Sequence, residues 1–183
     1  MNSPRTWWWV GAALLLFWVV GGYNRLVRMR NAIQLTYAAL DARLLRRNDG
    51  VAELAAALPP LVEAPLVETL QAALGQSRAA REQARKTPCD ARAITNLGVT
   101  ETVLSDVRAR LSTVLAPIGD ALGATPVPAL VEKVAQAESA LAHTRDDFNR
   151  AAADYNHAVR QFPTRLLAAV FGFGIGATLP ALA

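Results

Sequence analysis

From Thr6 to Asn24 the chain reads TWWWVGAALLLFWVVGGYN, nineteen residues without a charge. As a helix they span about 28 Å, close to the hydrocarbon thickness of a bilayer. Leu14, Leu15, Leu16 and Phe17 fill the middle. Trp7, Trp8 and Trp9 stand at one end, and Trp18 and Tyr23 lie toward the other. Amphipathic rings favour headgroup depth, so this arrangement predicts a membrane anchor. Arg5 precedes the run, whereas Arg25, Arg28 and Arg30 follow it. The excess of positive charge on the C-terminal side predicts an N-terminus outside and the main domain in the cytoplasm. These arginines are expected to touch anionic lipid, at about 1 kcal/mol each. A cleaved signal peptide is the alternative: Val20 and Gly22 suit the positions before a cut at Tyr23, and Arg5 is a minimal basic start. The arginines directly after the run favour a retained anchor.

The rest of the chain is rich in Ala, Leu and Val and poor in aromatics, a composition that favours helix. Leu26, Ile33 and Leu40 recur every seven residues, with Tyr37 and Leu44 between them. The first helix is therefore expected to run out of the membrane to about Arg47, and NDG at 48–50 reads as a turn. A second helical stretch, from about Val51 to Lys86, is interrupted by Pro59, Pro60 and Pro65. It is expected to break, with a short helix to Leu58 and a new start near Pro60. Its polar end, QSRAAREQARK, reads as a solvated face. Residues 87–98 read as a connection. Leu104, Val107, Leu111, Val114 and Ile118 then mark a third helix ending near Gly119 to Gly123, and Thr125 or a neighbour is expected to cap a fourth.

In that fourth helix every seventh residue is apolar: Val127, Val134, Leu141, Phe148, Tyr155 and Phe162. The alternate positions, Leu130, Ala137, Thr144, Ala151 and Ala158, are mostly small. Small residues let a neighbouring helix approach, and large ones fill its grooves. The column is read as a packed seam with Leu26, Ile33, Leu40, Leu104, Leu111 and Ile118 rather than as a cofactor box. Asn149 and Asn156, one position past Phe148 and Tyr155, lie at its edge. They either bond across to a neighbouring helix or are simply exposed. Pro163 stops the helix. Residues 166–183 carry no charge and contain three glycines. Four antiparallel helices return this tail to the membrane, where it is expected to rest at the interface or pack against the base of the bundle.

The domain plan is thus a short tail at 1–5, a membrane helix at 6–24, an antiparallel bundle at 25–163 and an apolar tail at 164–183. The fold class is all-α: a transmembrane helix continuing into a bundle of about four helices. YNRLV with Arg30-Asn31 after the anchor, and Tyr155-Asn156, Phe162-Pro163 and FGF at 171–173 near the other end, resemble the LemA family of bacterial membrane proteins. The middle matches in layout. The resemblance implies a single N-terminal membrane helix and a long antiparallel bundle, and no catalytic residues; with the arginine asymmetry, the expected location is the bacterial cytoplasmic membrane, single-pass, with the bundle in the cytoplasm.

Nothing in the motifs points to chemistry. There is no G-x-S-x-G and no P-loop, and GFGIG at 172–176 lacks the strand-to-helix setting of a phosphate loop. The single cysteine, Cys89, cannot form an internal disulfide. His143 and His157 are fourteen residues apart on one helix, about 21 Å, too far to share a metal. The formal charge of +4 is largely explained by the juxtamembrane arginines and does not predict nucleic-acid binding. No catalytic, cofactor or metal residues are expected. The expected partners are membrane lipid through the N-terminal helix and a protein of unknown identity, and the seam can also close between copies of the chain. The function expected is a membrane-anchored, non-catalytic scaffold or interaction module; an exported structural envelope protein is the alternative.

Overall fold

The computed structural model describes residues 4–118, 123 and 125–180, with side chains from Trp7 onward. Helix α1 runs Pro4–Ala57, α2 Ala64–Lys86, α3 Ala91–Leu115, α4 Val127–Arg160 and α5 Thr164–Phe171, with a 3₁₀ turn at Ala116–Ile118. The first four form the bundle. The N-terminal residues 1–3 and the Arg5 side chain lie outside the described residues. So does the expected helix stop at 119–122.

Helix α1 is 54 residues long. From Trp7 to Trp18 every side chain is exposed, and from Leu26 on one face is buried. The expected turn at 48–50 is absent: α1 continues through Asn48, Asp49 and Gly50. Glycine in a helix costs about 1 kcal/mol relative to alanine. Packing outweighs that here. Val51, Leu54 and Leu58 beyond the glycine are buried, and a Cβ on Gly50 would lie 3.2 Å from Val134 Cγ2, so the glycine admits α4 closely. The short helix expected before the prolines is therefore the end of α1. It stops at Ala57 because Leu58 precedes Pro59, and a residue before proline is pushed out of helical geometry.

Helix α2 starts later than Pro60, at Ala64, with Pro65 in its first turn, where a missing N–H is harmless. Arg85 and Lys86 end it, suiting the negative end of the helix dipole. The expected connection at 87–98 is mostly helix. Only 87–90 form the turn; the Asp90 side chain accepts a hydrogen bond from Arg92 N (3.1 Å) and caps α3, and Ile94 and Leu97 are fully buried. Before α4, the Thr125 hydroxyl accepts from Val127 N at 3.4 Å, while the N-cap position itself is Pro126, which supplies no side-chain cap.

Helix α1 packs most extensively on α4 and α2 on α3, while α1 and α2 join the two pairs. Helices α3 and α4 are not among the closely packed pairs. The core falls into two apolar clusters along the bundle. One, nearer the exposed apolar N-terminal segment, gathers Leu26, Ile33, Tyr37, Leu40, Ile94, Leu97, Leu141, Phe148 and Tyr155. The other, at the far end, gathers Val51, Leu54, Leu58, Leu70, Leu104, Leu111, Val127 and Val134. The predicted seam is buried with two exceptions. Ile118 is only partly buried, and Phe162 is 81% exposed. Phe162 lies beyond the end of α4 at Arg160, where the helical period no longer governs its direction. On α3, Val114 is exposed and Leu115 takes its place in the core.

Candidate functional site

Three features are stacked along the side of the bundle where α3 and α4 stand apart. Nearest the apolar N-terminal segment is an extended strap, residues 173–180. After α5 the chain turns at Gly172, whose φ of 69° lies in the left-handed region that suits glycine. The strap then runs back along α4. Asn156 Nδ2 donates to Gly176 O and Gly176 N donates to Asn156 Oδ1, both at 2.8 Å. Asn149 makes the same pair of 2.8 Å bonds with Leu179. Seven helical residues rise about 10.5 Å and three extended residues about 10 Å, so the seven-residue period of α4 matches the strap step for step. This is the role of the two asparagines. They bond not to another helix but to the chain's own tail. Phe173 and Leu179 enter the proximal core, and a Cβ on Gly98 of α3 would come within 2.8 Å of Pro180 Cδ.

Beside the strap's end lies a buried polar layer to which all four bundle helices contribute. Arg47 of α1 is fully buried and pairs with Glu101 of α3. Ser77 of α2 donates to Glu101 Oε1 at 2.6 Å, and Asn48 Nδ2 reaches Ser77 Oγ at 3.3 Å. Glu138 of α4 accepts from Arg108 at 2.5 Å and lies 3.9 Å from Arg47 Nη1. The two arginines and two glutamates balance in charge. The layer is not fully satisfied: Arg47 Nε and Nη1 and Asn48 Oδ1 lack a hydrogen-bond partner among the described residues. It separates the two apolar clusters.

Beyond the layer α3 and α4 leave an open groove of about 620 Å³. Leu111, Leu115, Val127, Val131 and Val134 line it, with Arg108, Ser112 and Glu132 among the polar groups. It is a surface suited to apolar side chains.

The residues predicted from sequence divide accordingly. Trp7, Trp8, Trp9, Leu14, Leu15, Leu16 and Phe17 are strongly exposed. Arg25, Arg28 and Arg30 are exposed, and the Arg30 guanidinium lies 5.7 Å from the Phe173 ring centroid. Tyr37 and Phe148 meet edge to face at 5.7 Å. Burial pushes the Tyr37 and Tyr155 phenols above the ordinary tyrosine range, so both remain protonated. Tyr37 uses its proton on Arg81 O at 3.2 Å. His143 and His157 are exposed. Cys89 is half-buried, 3.9 Å from Arg30 O. The polar end of α2 is less solvated than expected: Ser77 is buried in the layer, and Arg81, largely covered, pairs with Asp41 at 2.7 Å. Among the described residues no group of three or more potential metal ligands comes together.

Sequence reasoning missed the polar layer, although the signal was there. Leu26, Ile33, Leu40, Arg47 and Leu54 form one unbroken seven-residue column, with Arg47 in a core position. Glu101 sits likewise between Ile94 and Arg108, and Ser77 between Leu70 and Ala84. Among known proteins, the family model described as the LemA family matches residues 36–179. That region closes on Leu179, the residue Asn149 holds. No curated protein matches the chain.

Proposed function

The chain belongs to the LemA family, and from that premise we propose that it is a membrane-tethered, non-catalytic bundle that presents its helical surface to a protein partner at the bacterial cytoplasmic membrane. The observation that carries this is the division of α1. One continuous helix is apolar and exposed over its first turns, long enough to cross a bilayer, and then becomes the central element of the core. An anchor and a bundle that share one helix are rigidly coupled. The non-catalytic part rests on the polar layer: its charged groups are engaged with one another, Arg47 with Glu101 in the core and Arg108 with Glu138 at its partly exposed edge. The open groove between α3 and α4 is where the partner contact is expected.

Helical continuity through Gly22, which packs against Leu167, supports a retained anchor over the exported alternative, since cleavage there would cut a helix inside a contact. The exported reading predicts a shortened chain outside the membrane. The interaction reading is tested by photocrosslinking in cells. A benzophenone amino acid at Val131, in the groove, is expected to give a discrete higher-mass adduct, and one at exposed Leu35 is not. Identical diffuse labelling from both positions would contradict it.

A further inference from the structure

We propose that α5, with Phe162 just before it, is a second membrane contact that lies flat in the interface of the same bilayer α1 crosses. This inference rests on the membrane reading of α1. Helix α5 buries Thr164, Leu167 and Ala168 against the bundle. The opposite face is also apolar: Leu166 is 57% exposed and Val170 77%. Past Thr164 and Arg165 in its first turn, α5 is apolar on its covered and uncovered faces alike, which calls for an apolar medium on the uncovered side.

The position of α5 along α1 identifies that medium. Leu167 packs on Gly22, and the Phe171 ring meets Tyr23 edge to face at 5.1 Å. Gly22 and Tyr23 belong to the last turn of the uncharged run that ends at Asn24. Contact with α1 therefore holds α5 at the depth where a spanning helix leaves the hydrocarbon. The turn between α2 and α3, which touches Arg30 through Cys89, lies seven residues further along α1, about 10 Å farther from that boundary. Charge agrees with this placement. No Asp or Glu occurs in residues 1–40 or 155–183, whereas Arg25, Arg28, Arg160 and Arg165 are all there and exposed. A basic rim around an apolar face suits an anionic headgroup layer. The strap at 173–180 takes no part, since Asn149 and Asn156 hold it along the bundle.

The test uses the full chain with Cys89→Ser, reconstituted in phosphatidylcholine–phosphatidylglycerol vesicles. An environment-sensitive fluorophore is attached at Leu16→Cys, Val170→Cys or Leu35→Cys, and quenching is read with lipids carrying a nitroxide on the acyl chain. The expected result is strong loss of fluorescence at positions 16 and 170 and little at 35. Quenching at 16 without quenching at 170 would overturn the α5 contact while leaving the anchor intact. Protection of 170 from an aqueous quencher without lipid quenching would assign the face to a second copy of the chain, and would also overturn it. Absence of quenching at both 16 and 170 would remove the anchor reading and this one together.

Discussion

Arg47 is the residue whose placement most sharply defines this bundle. A fully buried guanidinium whose Nε and Nη1 lack a hydrogen-bond partner among the described residues is a poor source of stability, because desolvation offsets much of the attraction to Glu101. Its effect is on register: sliding α1 by one turn against α3 would bury Arg47 among leucines and valines. Two predictions separate these roles. Glu101→Leu alone strands the buried cation and is expected to lower stability by about 3–5 kcal/mol, read by urea unfolding of the detergent-solubilised chain. Arg47→Leu combined with Glu101→Leu is expected to recover that loss or exceed it, by up to about 4 kcal/mol. If the double variant is as unstable as the single one, the layer stabilises the fold outright and the register argument fails.

At the scale of elements, the strap gives the clearest prediction. Asn149→Ala or Asn156→Ala leaves one strap amide and one carbonyl without their partner, a loss of about 1–3 kcal/mol each. Amide exchange at Gly176 and Leu179 is expected to accelerate by about tenfold or more, with exchange at Leu97 unchanged. Unchanged exchange in the strap would mean that Phe173 and Leu179 alone hold it. The strap also marks what was and was not legible in the sequence. The seven-residue columns revealed α1 up to Leu44 and nearly all of α4, because burial of one helical face repeats at that interval. The asparagines stood out by the same period, but their partner did not, since the short alternation of Phe173, Ile175, Ala177 and Leu179 sits among glycines in an uncharged stretch and reads equally as a loose tail. Asn48-Asp49-Gly50 reads locally as a turn, and only the column through Arg47 to Leu54 shows that tertiary packing prevails. The start of α3 was misplaced for a similar reason: Thr87-Pro88 is a true break, but Asp90 restarts the helix at once.

For the whole molecule, one helix carries both an exposed apolar segment and a face of the core, and the rest of the chain is arranged around it. The bundle's proximal end carries the basic rim, α5 and Tyr23. Its far end carries the open groove, with the polar layer and the strap between. On the proposed function, this polarity puts lipid contacts at one end and the expected partner surface at the other. The most direct test is the side of the membrane on which the bundle lies. With Cys89→Ser the chain has no thiol, and Leu35→Cys places one at a position 78% exposed on α1 beyond the uncharged run. Cells are treated with a membrane-impermeant maleimide before and after permeabilisation. The account predicts a full-length chain in the membrane fraction, labelled only after permeabilisation. Labelling in intact cells, or a chain shortened near Gly22, would contradict it and place the bundle outside.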